Sequence, residues 1–237
     1  ISSGTWSLIG LELSEPILTD DCRELNFTNE IGFGNSTRLL KNIIGLWLVQ
    51  ECRRSWANQG NEYSYEQLTE MAINSKPHQS VLNPLDPRFI APDNMPKLIS
   101  EICNETNQLV PNTPGEIIRC ALESLALLYA KTLREAEELV GWKVEKLHIV
   151  GGGSKNLLLN QLTADAANID VIAGPAEATA SGNVLVQAIA DGVVSDLDDA
   201  RQIIHRSFDT ENFNPKASLE LENMTNRFNQ ICTKTSV

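Results

Sequence analysis

Apolar and polar residues alternate along Trp6 to Leu13, which predicts a half-buried strand, and the small Ser3-Gly4-Thr5 run ahead of it turns a hairpin into that strand. Asn26 to Gly34 reads as a second edge strand or a loop. From Thr37 to about Trp56 the residues Leu39, Leu40, Ile43, Ile44, Leu46, Trp47 and Val49 recur at helical spacing with hardly a breaker, predicting one deeply buried helix. On such a helix Asn42 and Gln50 stand about 80° apart, so with the small Gly45 they look toward one cleft. The alternative is that each amide bonds a neighbouring loop backbone.

The segment Ser75 to Pro96 carries five prolines and is expected to be a long surface connection. A short helix follows over Asp93 to Asn107. Thr113-Pro114-Gly115-Glu116 is a capping box with proline at the first helical position, launching a long amphipathic helix that Gly141 closes. Then come a strand over Lys146 to Val150, three glycines, a helix over Asn156 to Ala167, a strand over Asp170 to Ala173, a Gly174-Pro175 turn and a helix over Ala176 to Ala190. This order implies a right-handed parallel crossover with ligands at the carboxyl ends of the strands. Small residues from Ala176 to Asn183 are expected to let the last helix lie close on the sheet, with Glu177 favouring its amino end. Past Pro215, Leu219, Leu221, Met224 and Phe228 predict an amphipathic helix that packs on the body or on another subunit.

Ile149-Val150-Gly151-Gly152-Gly153-Ser154-Lys155-Asn156 changes this picture from a fold to a candidate site. A strand delivers the backbone to a sheet edge, glycine removes the Cβ atoms that would block a flat ring or phosphate, and the helix offers unpaired N–H groups. An ordinary α/β joint has the same look. The run is not Gly-x-Gly-x-x-Gly and falls late in the chain, which sets dinucleotide-dependent dehydrogenases aside.

Composition bounds the partners. With 237 residues, 42% of them hydrophobic, the chain can bury a substantial core as one large domain. A net charge of −12 leaves no overall electrostatic footprint for nucleic acid or an anionic membrane, so a phosphate ligand must be held locally. The five cysteines are scattered without a Cys-x-x-Cys pair, arguing for reduced cytoplasmic thiols rather than disulfides or zinc. His78, His148 and His205 read as packed or capping residues. No apolar run reaches membrane-spanning length and no leader is evident. The opening on Ile1, with what reads as the end of a strand, points to a piece of a longer chain, although a processed or tagged start looks similar.

Five segments in order, Ser2 to Leu8, Leu40 to Trp47, His148 to Gly153, Asn160 to Ala166 and Ala173 to Ala178, resemble the carboxyl-terminal half of the FGGY carbohydrate kinases. The likeness runs from Ile1 to about Pro215. It implies an α/β, actin-like, hexokinase-type (ribonuclease H-like) ATPase domain, with a mixed sheet flanked by helices, as the second of two domains. Residues 1–215 would be the kinase domain and 216–237 a helical tail. The Gly4-Thr5-Trp6-Ser7-Leu8 run resembles the branch that phosphorylates L-rhamnulose at O1 with ATP and Mg²⁺, in a cleft between the two domains. By matching position, Thr5 contacts ATP phosphates, Gln50 contacts ATP, Gly152 lies beneath the nucleotide, Gly151, Gly153 and Asn156 lie near the adenosine, and Asn42 contacts the sugar.

The family's general base, an aspartate in a His-Asp-Thr motif, has no match in this chain and is expected upstream; Asp165, in a helical Thr-Ala-Asp-Ala run, does not take that role. Alone, the chain is expected to bind nucleotide weakly, to bind rhamnulose poorly and to transfer no phosphate. Two other readings stay open: an FGGY kinase for another ketose or polyol, and a non-catalytic nucleotide-binding regulatory module.

Overall fold

A computed structural model describes residues 1–234, so the last three positions of the expected tail lie outside the described residues. The chain opens on β1 (Ser2–Ser3) and β2 (Trp6–Leu13), the expected hairpin. After α1 (Asp20–Glu24), capped by the Thr19 hydroxyl, comes the edge strand β3 (Thr28–Ile31). Then β4 (Thr37–Ile44) lies between β2 and β3, pairing antiparallel with both.

The single helix expected from Thr37 to Trp56 is therefore a strand and a separate helix, α2 (Trp47–Ala57). A short run with apolar residues at most positions fits a buried strand as well as a buried helix, and here pairing on both edges decides. Gly45 makes the break. A Cβ there would lie 2.6 Å from the Gly4 carbonyl oxygen and 2.9 Å from the Trp6 carbonyl carbon, so only glycine lets the chain pass this close to the hairpin. Asn42 and Gln50 accordingly sit on different elements, and the 80° argument does not apply.

Ser64 and Gln67 form a capping box that starts α3 (Tyr65–Ile73), an element the hydrophobic pattern did not reveal. The proline-rich segment that follows is not a surface connection: Val81, Leu82 and Phe89 are fully buried. Proline forbids a regular ladder but not burial, provided the backbone polar groups find partners. They find side chains: Val81 N–H donates to Gln108 Oε1 at 2.9 Å and Leu82 N–H to Ser124 Oγ at 3.0 Å.

α4 (Met95–Glu105) and the long α5 (Pro114–Val140) complete the helical layer, α5 starting at the expected Thr113/Glu116 capping box and ending at left-handed Gly141, φ 76°. Leu122, Leu125 and Tyr129 of α5 lie at the centre of the main core. Its far end carries two buried carboxylates. Glu135 accepts from Lys41 and Lys131, and Glu137 from Arg134, Lys143 and the Val144 N–H. Burial alone would raise both pKa values, but hydrogen bonds from the cations prevail and hold them below the ordinary glutamate range. A depressed folded-state pKa stabilises the fold above the unfolded value and is lost as pH falls through the folded one. We therefore expect thermal stability to decline progressively below about pH 4.5. Glu137→Gln should flatten that decline in a series of melting curves; an unchanged pH profile would count against the pairing.

β5 (Lys146–Ile149), α6 (Leu157–Ala167) and β6 (Asp170–Ala173) form the expected parallel unit. After it, α7 (Ala178–Ala190) departs from expectation. None of its residues is buried, so its small side chains do not seat it on the sheet; it contacts mainly α8 (Leu197–Ser207). β7 (Glu211–Phe213) adds antiparallel to β6, making the second sheet mixed. The two sheets meet at β1, where Val150 N–H donates to the Ile1 carbonyl and Ser3 N–H to the Val150 carbonyl, both at 2.8 Å. α9 (Leu219–Lys234) packs on the body, burying Met224 and Phe228 in the main core. Cys22, Cys52, Cys103 and Cys120 are buried free thiols. Among the described residues no helix is long and apolar enough to cross a membrane.

Candidate nucleotide site

Three backbone features converge where the sheets meet. The first is the hairpin, whose carbonyls are pinned to the start of α2: Leu46 N–H donates to Gly4 O at 2.8 Å, while Gly45 and Trp47 N–H both donate to Thr5 O at 3.1 Å. From below, Tyr129 of α5 fixes the same hairpin, its hydroxyl 2.6 Å from Ser7 Oγ and 3.3 Å from Ser3 Oγ. Burial pushes the Tyr129 phenol above its ordinary pKa, so it stays a neutral partner to the two serines.

The second feature is the glycine run after β5, whose three members behave differently. Gly151 has φ 84° and a hypothetical Cβ only 2.8 Å from Ser3 O; a Cβ on Gly153 would lie 2.6 Å from Ser3 Cβ. Both are pressed against β1. Gly152 faces open space, with nothing within 4 Å of a hypothetical Cβ. The loop is held by Ser154, whose hydroxyl donates to Gly151 O at 2.8 Å, and by Asn160, whose amide donates to Ser154 O at 2.8 Å. Next to it, Gly174 N–H donates to Ile149 O at 2.8 Å and Gly151 N–H to Pro175 O at 3.2 Å, so the loops after both parallel strands lie side by side.

The third is the wall made by α2 and α3. Together these features enclose a pocket of about 560 Å³, within the range of small-ligand sites. Thr5, Gln50, Gly152, Gly153 and Asn156 line it; Gly151 does not, lying beneath the hairpin instead. Asn156 caps α6, accepting from Leu159 N–H at 3.0 Å, and its amide nitrogen is 3.5 Å from Thr69 Oγ1. The Thr5 hydroxyl and the Gln50 amide have no hydrogen-bond partner among the described residues, which leaves both available to a ligand.

Sequence reasoning missed the α3 wall. Tyr65, Glu66, Thr69, Glu70 and Ile73 all face the pocket, opposite Leu157 and Lys155. The signal was present in the Ser64-x-x-Gln67 capping box and in Leu68 and Ala72 four residues apart, both fully buried. Hydrogen bonding from the Ser64 hydroxyl holds the Glu66 carboxyl below its ordinary pKa. The apolar lining of Leu46, Val49, Ile73 and Leu157 suits an aromatic ring, while the hairpin end is polar.

Asn42 is elsewhere. It is exposed on the open face of the four-stranded sheet, directly opposite Leu8 of β2, on the strand that leads away from Thr5. The structure thus sets five of the six expected nucleotide residues around one pocket and places the expected sugar residue around the corner of the same hairpin.

Solved structures share this architecture. The xylulose kinase from Rhodospirillum rubrum superposes with a TM-score of 0.69 at 15% identity, over 98% of this chain and 45% of that one. The Plasmodium falciparum glycerol kinase with ADP superposes with a TM-score of 0.69 at 14% identity, over 100% and 46%. The fold is that of the actin-like ATPase class to which sugar kinases conform. The sequence matches the FGGY family of carbohydrate kinases, C-terminal domain, over residues 1–190, and the chain belongs to that family. Among curated relatives, a rhamnulokinase from Bacillus subtilis (strain 168) is 47% identical over 216 residues, covering 91% of this chain and 44% of the relative. One from Bacteroides thetaiotaomicron is 45% identical with the same coverage. The chain therefore spans less than half the length of the relatives it matches.

Proposed function

We propose that the complete protein transfers the γ-phosphoryl group of ATP to O1 of L-rhamnulose, and that this chain is its ATP-binding half. On this reading residues 1–215 form that half, with 216–237 as a packed helical tail. The observation that carries the proposal is the convergence of Thr5, Gln50 and Gly152 on one pocket from three separate parts of the chain. In it, the adenine lies over the bare Gly152 backbone, walled by α3 and Leu157. The phosphates run toward the free Thr5 hydroxyl. Asn42 then contributes a hydrogen bond to the sugar from the open sheet face. The relatives named rhamnulokinase, at 47% and 45% identity, support this substrate over another ketose or a polyol. Four buried free thiols, Cys22, Cys52, Cys103 and Cys120, fit a reducing compartment such as the cytoplasm.

The donor set fits a nucleotide better than a resident metal. Among the described residues no group of three or more His, Cys, Asp or Glu side chains could hold an ion, and the pocket offers hydroxyl, amide and backbone groups instead. Mg²⁺ arriving with ATP would neutralise phosphate charge, which a chain of net charge −12 needs. The residues here bind and orient; Thr5 and the hairpin position the phosphates, and the proton acceptor for the sugar hydroxyl belongs to the upstream half.

A coupled assay of ADP release tests this. The complete protein should turn over with L-rhamnulose, whereas the 237-residue chain should not, although it binds ATP weakly by calorimetry. Rhamnulose-dependent ADP release by the isolated chain would overturn the division of labour, and none by the complete protein would overturn the substrate.

A further inference from the structure

A second cavity of about 480 Å³ lies where β4, α5, α9 and the proline-rich segment meet, and it shares no lining residue with the nucleotide pocket. Its charged groups come from two walls. Lys41 pairs across the sheet with buried Ile9, so its side chain points to the α5 side of β4, the face opposite that of Asn42. There its ammonium reaches Glu135 at 2.7 Å, and Lys131, one turn earlier on α5, holds the other oxygen of the same carboxylate. An ammonium carries three donors. Each lysine gives one to Glu135, which leaves two on each without a partner among the described residues.

Next to Lys131, Thr132 is 1% exposed and lines the cavity, yet its hydroxyl has no hydrogen-bond partner among the described residues. An unpaired buried hydroxyl is costly. A helical threonine ordinarily avoids that cost by donating to the carbonyl four residues back, as Thr69 does to Tyr65 and Thr163 to Leu159. Thr132 does not, and its hydroxyl is left to the cavity. The rest of the polar lining is amide. Asn83 accepts from Leu85 N–H at 3.0 Å but donates to no group among the described residues, and the Asn229 side chain makes no hydrogen bond among them. Leu85, Pro87 and Leu128 supply apolar surface.

Donors outnumber acceptors in this lining, and two lysines against one carboxylate leave it a positive charge. We infer that the cavity is a second ligand site, one that takes a phosphorylated sugar. The phosphate oxygens accept from Lys41, Lys131 and the Thr132 hydroxyl, and the sugar hydroxyls meet the Asn83 and Asn229 amides. Lysine binds phosphate as a compact point charge, and Glu135 holds both ammonium groups in place ahead of the ligand. The volume is within the range of small-ligand sites and larger than a bare phosphate fills.

The test is calorimetry on the complete protein with its nucleotide pocket filled by a non-hydrolysable ATP analogue, which keeps phosphates out of that pocket. Glucose 6-phosphate and fructose 1-phosphate are the probes, and inorganic phosphate is the comparison arm. At least one hexose phosphate should bind, and more tightly than inorganic phosphate. Thr132→Val keeps the shape of the side chain and removes only the hydroxyl. It should weaken this binding about 10- to 100-fold, as expected for the loss of a hydrogen bond to a charged group. Lys131→Met should weaken it to at least the same degree. Because valine removes an unpaired buried hydroxyl, the ligand-free Thr132→Val protein should melt at or above the temperature of the parent and keep its affinity for the ATP analogue. The inference is overturned if neither hexose phosphate binds, if either substitution leaves the binding untouched, or if inorganic phosphate binds as tightly as the sugar phosphates. A lowered Tm in Thr132→Val would show the hydroxyl already bonded within the fold and would overturn it too. None of these outcomes bears on phosphoryl transfer to L-rhamnulose, which the ADP-release assay tests separately.

Discussion

Substituting alanine for Gly153 will destabilise the fold, whereas the same substitution at the adjacent Gly152 will leave the fold intact and impair nucleotide binding. A Cβ on Gly153 would lie 2.6 Å from Ser3 Cβ and 3.0 Å from the Ser3 carbonyl oxygen. Neither atom can yield like the tip of a long side chain, because Ser3 is held in β1 by its N–H bond to Val150. The strand must shift, and overpacking of this kind costs about 1–3 kcal/mol. In a domain of this size that lowers Tm by roughly 2–12 °C. Gly152 has nothing within 4 Å of its hypothetical Cβ, so Gly152→Ala meets no protein atom. Its methyl group would instead stand on the floor of the pocket, under the flat base. We expect an unaltered Tm for Gly152→Ala and a rise of about tenfold in KM for ATP, equivalent to about 1.4 kcal/mol. Melting curves of both variants, with ATP kinetics of the complete protein, separate the two effects. Equal losses of stability would remove Gly152 from the nucleotide floor.

The contrast also shows what can be read from residues alone. Three consecutive glycines announce a close approach, and the strand before them and the helix after them were both legible from pattern. Which glycine touches protein and which faces a ligand depends on β1, more than a hundred residues earlier, and no local signal carries that. The same limit governs the stretch from Thr37 to Trp56. Its hydrophobic spacing supports a helix, and only the partners β2 and β3 turn its first half into a strand. Gly45 was visible as a small residue; that it sits under Gly4 was not. Asn42 and Gln50 were both singled out from the chain, but their shared helix face was an artefact of that period. The capped α5 and the β5–α6–β6 unit were legible because caps, turn residues and periodicity agreed within each segment. For the α3 wall of the pocket, the capping box was present, but the polar surroundings masked a helix with few buried residues.

The proline-rich segment is the clearest case of long-range chemistry overriding composition, and it yields the other large expected effect. Glu123 of α5 is 1% exposed and accepts from Arg119 Nε at 2.6 Å and, through both oxygens, from the His78 N–H at 3.2 Å. His78 is held at φ 60°, an uncommon conformation for a residue with a side chain, so the carboxylate fixes the point where the segment enters the core. Glu123→Ala would leave the largely buried Arg119 guanidinium without its counterion, which costs about 3–5 kcal/mol. That is a large fraction of the stability of an ordinary domain. The consequence should reach the nucleotide. Arg119 also donates to the Ala72 carbonyl at 3.3 Å, at the end of α3, so releasing the guanidinium loosens the wall that Tyr65 and Ile73 present to the pocket. Glu123→Ala is therefore expected to lose hydrogen-exchange protection across 78–89 and to bind ATP more weakly, although residue 123 touches no part of the pocket. Glu123→Gln retains an acceptor for His78 but no charge for Arg119, so it should keep the segment closed and still weaken ATP binding. If the alanine variant costs under about 1 kcal/mol, the segment is held by Val81, Leu82 and Phe89 alone, and the path from α5 through Arg119 to the nucleotide wall fails.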